Sequence, residues 1–336
     1  MRKPSRSSGD LIADRRYSYG LELAQAGDHA AAIDLFEQTI ERAPSWPPAW
    51  LALARARREH FDGAGAIAAF RECLRLDPAD ALGAGLELSR LDASVTLDAA
   101  PAAYVAQLFD AYAPSFDKAL VERLHYSGPW TLARMIRAHA PQAAPHRFAR
   151  ALDLGCGTGL AGEALRGDVG YLEGVDLAPG MIEVAKSKSV YDALAEGDVL
   201  SALLAREDRF NLIIASDVFT YIGDLARLFT SMRARLAPGG FAAFTVEKAE
   251  EEESPAGWLV RESLRFAHSV SYLRRLAAVN GLAVIAMEET ALRKDRGADI
   301  AGLAIVLTAP RAETVHGLKP KSDDTFDRAP PDPTLH

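Results

Sequence analysis

The stretch ALDLGCGTG, residues 151–159, sets the architecture of the second half of this chain. A short apolar run from Ala151 to Leu154 ends in three glycines, Gly155, Gly157 and Gly159, which permit a tight turn with positive backbone torsions and close approach of a ligand. A helix that follows such a loop aims its free amides back toward it. Outward from this point, apolar runs recur at 171–175, 212–215 and 241–246. Pro179 opens a helical stretch after the first of these, and Pro238-Gly239-Gly240 forms a turn before the last. Amphipathic segments such as 224–236 lie between them. Strands alternating with helices predict a parallel sheet covered on both faces, with its site at the carboxyl ends of the strands. After Gly281 the pattern becomes strand, loop, strand: 282–287 and 303–307, joined by a polar loop holding Arg293, Asp295 and Arg296. That predicts a closing antiparallel hairpin.

The glycines alone leave two ligands open. Gly157, Gly159 and Gly162 satisfy the dinucleotide pattern G-x-G-x-x-G, and Asp176 falls at a fair distance for a ribose-binding acid, so a nicotinamide or flavin enzyme fits. Asp153 argues the other way. A carboxylate at the strand end would repel a pyrophosphate, and it suits an ammonium group through a charge-assisted hydrogen bond. S-adenosylmethionine carries an ammonium and a sulfonium and has no phosphate, which favours the methyl donor.

Further segments then fall in order: VDLAPGMIEVA at 175–185, EGDV at 196–199, ASDVF at 215–219 and RLAPGGFAAFTVE at 235–247. With the glycine loop, these resemble the five ordered motifs of class I S-adenosylmethionine-dependent methyltransferases, over roughly residues 103–310. The resemblance implies a Rossmann-like α/β sheet of seven strands, the last pair an antiparallel hairpin, in a domain spanning 101–310. It implies S-adenosylmethionine as cofactor and no metal. Asp153 would meet the ammonium, with Gly155, Cys156, Gly157 and Gly159 forming the loop and Cys156 acting as a small filler. Asp176 would accept both ribose hydroxyls, Leu177 and Met181 would pack on the adenine or ribose, and Asp198, beside Val199, would accept from the adenine amino group. Asp217 would close the site from the fourth strand. The segment YVAQLFDAYAPSFDKALVERLHY at 104–126 resembles the lead-in helices of small-molecule members, within a lid at 101–140. Tyr112 and Phe116 would then lie near the sulfonium, since an aromatic face attracts a cation; sealing a helix against the sheet is the alternative role.

The first part of the chain is a repeat. Ala32, Phe36 and Pro44 recur 34 residues later as Ala66, Phe70 and Pro78, with Ile33 and Ile67 in register. Segments 13–46 and 47–80 resemble the tetratricopeptide repeat, a helical hairpin of that period. Residues 80–91 read as a capping helix, giving an all-α domain at 13–95. About three such units usually cover one another, so two must cap with that helix, dock on the second domain, or pair as a homodimer. They would hold a protein or peptide partner, or simply stiffen the enzyme. The whole chain resembles predicted bacterial methyltransferases with amino-terminal repeats of this kind.

The acceptor is less legible. An amine or hydroxyl acceptor must lose a proton to a general base. His268, ahead of the last crossover helix, fits by its ordinary pKa, and equally fits a structural helix-start histidine; Tyr221 and Asp217 are the alternatives. Arg293, in the hairpin loop, would hold an acidic substrate or stay solvated. The Asn/Asp-Pro-Pro-aromatic motif of amino-methylating members is missing after the fourth strand, which disfavours adenine or glutamine as acceptor. The acidic run 250–253 would attract a basic substrate or form a solvated loop. A small-molecule acceptor is favoured over a protein, and a donor-binding scaffold without turnover is the competing function. A net charge of −8 disfavours a broad nucleic-acid surface. The longest apolar runs fall short of the ~20 residues of a membrane span. With two cysteines, Cys73 and Cys156, in separate parts, the expected setting is the cytoplasm. Residues 316–336, rich in Pro, Lys and Asp, are expected to be disordered.

Overall fold

The computed structural model of the protein describes residues 7–113, 116, 126–143, 145–295 and 298–311. The tail expected to be disordered, and most of the lid between Tyr112 and Tyr126, lie outside the described residues.

Two helical hairpins come first: α1 (Leu11–Gln25) with α2 (His29–Arg42), and α3 (Pro47–Glu59) with α4 (Gly63–Leu76). Their starts follow from local chemistry. Asp10, Asp28 and Asp62 accept the first-turn N–H groups of α1, α2 and α4, and α3 opens on Pro47, whose missing N–H costs nothing there. The repeated positions are the packed ones: Ala32, Ala66, Phe36 and Phe70 are all buried. Gly20 is small because the Phe36 ring lies where its Cβ would be, 2.7 Å away. A shorter helix, α5 (Ala84–Leu91), covers α4. Asp80, buried beside it, accepts from the N–H groups of Ala84 and Gly85.

After α6 (Ala102–Tyr112) and α7 (Gly128–His139) the α/β part begins. Its strands are β1 (Phe148–Leu154), β2 (Val169–Asp176), β3 (Ala193–Glu196), β4 (Phe210–Ala215) and β5 (Leu236–Ala249). They are parallel, in the order β3-β2-β1-β4-β5. The hairpin β8 (Ala283–Asp295) and β9 (Ala298–Thr308) closes the sheet, β9 lying antiparallel to β5. The helices between are α8 (Leu160–Leu165), α9 (Pro179–Lys188), α10 (Val199–Ala205), α11 (Ala226–Arg235) and α12 (Val270–Val279). Side chains alternate faces along β1: Leu152 and Leu154 enter the core under α10, α11 and α12, while Ala151 enters the one under α7 and α8. Among the described residues no helix is long and apolar enough to cross a membrane.

Two features depart from expectation, and a third is one of the arrangements expected for the repeats. The sheet has nine strands because β6 (Trp258–Val260) and β7 (Phe266–Ser269) add to the tip of β5, whose last residues, Glu247 to Ala249, pair with β7. The hairpin is also longer than its apolar run: β8 continues to Asp295, so Arg293 sits on a strand and not in a loop. An irregularity between Ala291 and Arg293 shifts the register there, and a bulge of this kind re-aims a side chain. Finally, the repeats dock on the α/β part through α5. Leu86 is fully buried with Tyr221 and Phe266. The exit segment pairs with the loop after β4: Ala100 donates to the Tyr221 carbonyl at 2.8 Å, and Gly223 and Asp224 donate to that of Asp98 at 2.7 and 2.9 Å.

Candidate active site

A cleft opens at the carboxyl ends of the parallel strands, as such sheets dictate. From β1 and its loop come Asp153, Gly155, Cys156, Gly157 and Thr158; from β2, Asp176 and Leu177; from β3, Asp198 and Val199; from β4, Ser216, Asp217 and Val218. Tyr221 and Ile222 form one wall, and Ala99, Ala102, Val105, Phe109, Phe116 and Tyr126 a largely apolar roof.

The loop is built on backbone strain that glycine relieves. Gly155, Gly157 and Gly159 have φ of 66°, 52° and 94°. A Cβ on Gly155 would lie 2.4 Å from Val218. Cys156 donates its N–H to the Val175 carbonyl, and Gly157 donates to Asp176 Oδ2, both at 2.9 Å. Asp176 Oδ1 takes the N–H of Ala178, and each of its oxygens keeps a second lone pair for a ligand. Burial raises the Asp176 carboxyl above its ordinary pKa and pushes the Cys156 thiol well above its own, so that sulfur stays protonated.

Asp153 is the unusual group. It is buried, with Oδ2 accepting from the Tyr191 hydroxyl at 2.6 Å and Oδ1 left without a partner. Burial, opposed by that hydrogen bond and reinforced by the charge of Asp176, pushes its pKa up to about 7. Asp198 also caps α10 through the N–H of Ser201. The described lining residues include four carboxylates and no lysine, arginine or histidine. Such a cleft suits a cation and would repel a pyrophosphate.

Several expected site residues lie elsewhere. His268 is fully buried on β7, stacked on Tyr272. Its Nε2–H is shared between the carbonyls of Ile222 and Gly223, each at 3.0 Å, and Nδ1 has no partner. Burial lowers its pKa to about 4. It holds the loop behind the cleft and does not face a substrate, which corrects its reading as a base. Arg293, also buried, bonds Asp217 Oδ1 at 2.8 Å and Glu247 Oε1. Burial and these two ion pairs hold it inside the protein and away from an acidic substrate. Met181 is buried among Ala113, Phe109 and Phe116, supporting the roof from behind. Gly159 packs against Tyr191, and Tyr112, 53% exposed, does not line the cleft. Tyr221 does line it, its hydroxyl accepting from Arg265 Nε at 3.1 Å and its ring meeting Phe109 edge-on. Burial raises its pKa, so the phenol keeps its proton.

Sequence reasoning missed Tyr126, Ser216 and Tyr191. Tyr126 and Ser216 share a 2.7 Å hydrogen bond across 90 residues. No spacing rule reports such a pair.

Replacing His268 by alanine tests its placement. The Ile222 and Gly223 carbonyls lose a buried donor and a cavity opens, a cost of ~2–4 kcal/mol. Affinity for S-adenosylhomocysteine should stay within about twofold by calorimetry, while the melting temperature falls. The wild-type histidine binds a proton at pH 6.5 when unfolded and only near pH 4 when folded. It therefore withdraws stability as pH drops through that window, a slope the variant should lack. A large loss of ligand affinity with an unchanged melting temperature would contradict this placement.

The comparisons with known proteins agree with the geometry. Residues 121–287 match the family model described as a methyltransferase domain, and residues 13–56 match that of the tetratricopeptide repeat. The ubiquinone biosynthesis O-methyltransferase of Cereibacter sphaeroides (strain KD131 / KCTC 12085) is 33% identical over 99 residues, 29% of this chain and 40% of that one. The enzyme of the same name from Methylobacterium sp. (strain 4-46) is 29% identical over 122 residues, 33% of this chain and 49% of that one. The chain thus spans less than half the length of these relatives. A solved S-adenosylmethionine-dependent methyltransferase from Clostridium acetobutylicum ATCC 824 superposes with a TM-score of 0.45 at 17% identity, over 60% of this chain and 99% of that one. Residues 121–287 are thus a methyltransferase domain, set behind a tetratricopeptide repeat.

Proposed function

We propose that the protein transfers a methyl group from S-adenosylmethionine to a hydroxyl of a small, largely apolar acceptor, with residues 101–310 as the transferase unit and 13–95 as a repeat unit packed on it. The observation that carries this reading is the unpartnered Oδ1 of the buried Asp153, at the head of an ordered series of acids on successive strands. Asp153 would hold the donor's ammonium, Asp176 its ribose hydroxyls, and Asp198 with Val199 and Leu177 its adenine. The donor supplies an electrophilic methyl on a sulfonium. The protein supplies alignment and exclusion of water beneath the roof of Val105, Phe109 and Phe116. Of the two other groups named as bases, Tyr221 keeps its proton and serves as a hydrogen-bond partner. Asp217, which lines the cleft, would take the acceptor's proton.

The apolar roof favours a small molecule over a protein, and the kinship with O-methyltransferases favours a hydroxyl. Docking of α5 on the enzyme supports a packing role for the repeats. Calorimetry with S-adenosylmethionine and S-adenosylhomocysteine tests donor binding: micromolar affinity is expected, and no heat with either ligand would sink the proposal. Labelled donor incubated with a small-molecule extract should pass label to an organic-soluble product. Label appearing only in protein would overturn the acceptor class.

A further inference from the structure

Tyr191 belongs to no motif, yet it touches every part of the glycine loop's support. It lies between α9 and β3. Its hydroxyl donates to Asp153 Oδ2 at 2.6 Å and accepts the N–H of Gly162, on the helix after the loop, at 3.2 Å. Its ring fills the space behind the loop. A Cβ on Gly162 would lie 2.6 Å from the ring, one on Gly174 3.0 Å and one on Gly159 3.1 Å. The third glycine of the apparent dinucleotide pattern, Gly162, therefore makes room for a tyrosine and not for a phosphate.

Resting on the donor-binding reading, we infer that Tyr191 is a positioning residue for the methyl donor: it clamps one oxygen of Asp153 so that the other faces the ligand's ammonium, and it helps hold that carboxylate ionised in a buried site. Two consequences of the geometry carry this. A carboxylate with one oxygen fixed by a short hydrogen bond has one remaining rotational state, so the ammonium meets a pre-set acceptor. The hydroxyl donates to Asp153 Oδ2 while it receives Gly162's N–H, and a donor to a carboxylate oxygen favours the charged form. The other titratable groups around Asp153 oppose that form or are neutral. Asp176 on β2 raises its pKa by charge; Cys156 in the loop and Tyr126 ahead of α7 keep their protons.

The test compares two ligands across pH in the full chain. S-adenosylhomocysteine carries the ammonium; 5′-methylthioadenosine keeps the adenosine and lacks it. In the wild type, affinity for S-adenosylhomocysteine should rise about tenfold between pH 6 and pH 8 as Asp153 ionises, since each unit below a pKa costs a factor of about ten, while that for methylthioadenosine stays flat. Tyr191→Phe, which keeps the ring, should weaken S-adenosylhomocysteine about tenfold at pH 7, shift its pH profile upward by about one unit, and leave methylthioadenosine unchanged. A Phe variant with wild-type affinity and pH profile overturns the inference. So does equal weakening of both ligands, which would make Tyr191 a packing residue alone. A wild type that binds neither ligand overturns the donor reading itself, and this inference with it.

Discussion

Asp153→Asn is expected to weaken S-adenosylhomocysteine binding by about ten- to a hundredfold and, at the same time, to make the empty protein more stable at pH 8. The two effects share one cause. The carboxylate is buried with an unpartnered oxygen, and its pKa stands at about 7 against an ordinary 3.8. Between those values the unfolded chain has already released the proton that the folded chain keeps. Stability therefore falls as pH rises from about 4 to 7, and the full cost persists above pH 7. A shift of about three units bounds that cost at about 4 kcal/mol. Asparagine still leaves a polar group in the cleft, so a gain of ~1–2 kcal/mol is the expected remainder. Binding moves the other way, because a charge-assisted hydrogen bond to the ammonium is worth about 1.5–3 kcal/mol and the amide forfeits its charge. Melting curves at pH 5 and pH 8, with calorimetry at pH 8, check both halves. An asparagine variant that is less stable than wild type at pH 8 would mean that the carboxylate is already satisfied in the empty protein, and that the cleft is not strained for a cation.

That trade of stability for a poised charge also shows which parts of the molecule were readable in advance. The loop at 151–159 and the 34-residue repeat were legible because their signals are local: a glycine where φ must be positive, an alanine where two helices touch, an aspartate where a helix starts. The acids on β1 to β3 were legible because strand ends in a parallel sheet converge on one cleft. What failed was decided by partners distant in sequence. His268 looks like a base and like a core histidine in the same five letters; only the carbonyls of Ile222 and Gly223, some 45 residues earlier, separate the two. β6 and β7, three and four residues long, have no periodicity to report and exist because β5 overruns its neighbours. Gly162 was legible as a glycine and misleading as a fingerprint, since its reason is Tyr191 on another segment.

Arg293→Ala carries the largest expected loss of stability, and it follows from the least legible residue of all. A solvated loop arginine would cost under about 0.5 kcal/mol on truncation. This one is 3% exposed and bridges two acids, Asp217 on the cleft floor and the buried Glu247 on β5. Removing it leaves Glu247 with only the more distant Arg265, at 4.0 Å, as a described cationic neighbour. Breaking one side of a buried ion pair costs about 3–5 kcal/mol, mostly the penalty of the charge left behind. Burial already raises the Glu247 carboxyl above its ordinary pKa and Arg293 pulls it back. Without the arginine the folded-state pKa climbs further above the unfolded one. The loss must therefore be greatest at pH 8 and partly relieved at pH 5, where Glu247 takes up a proton. The double variant Arg293→Met with Glu247→Gln should recover much of the melting temperature, because a buried pair replaced by neutral groups of similar size is often close to neutral in energy. On the role proposed for Asp217 it should not recover transfer, because Thr245 holds only the Asp217 backbone N–H while Arg293 fixes its carboxylate, which the double variant leaves unanchored. A single variant that melts within one degree of wild type at pH 8 would return Arg293 to the surface.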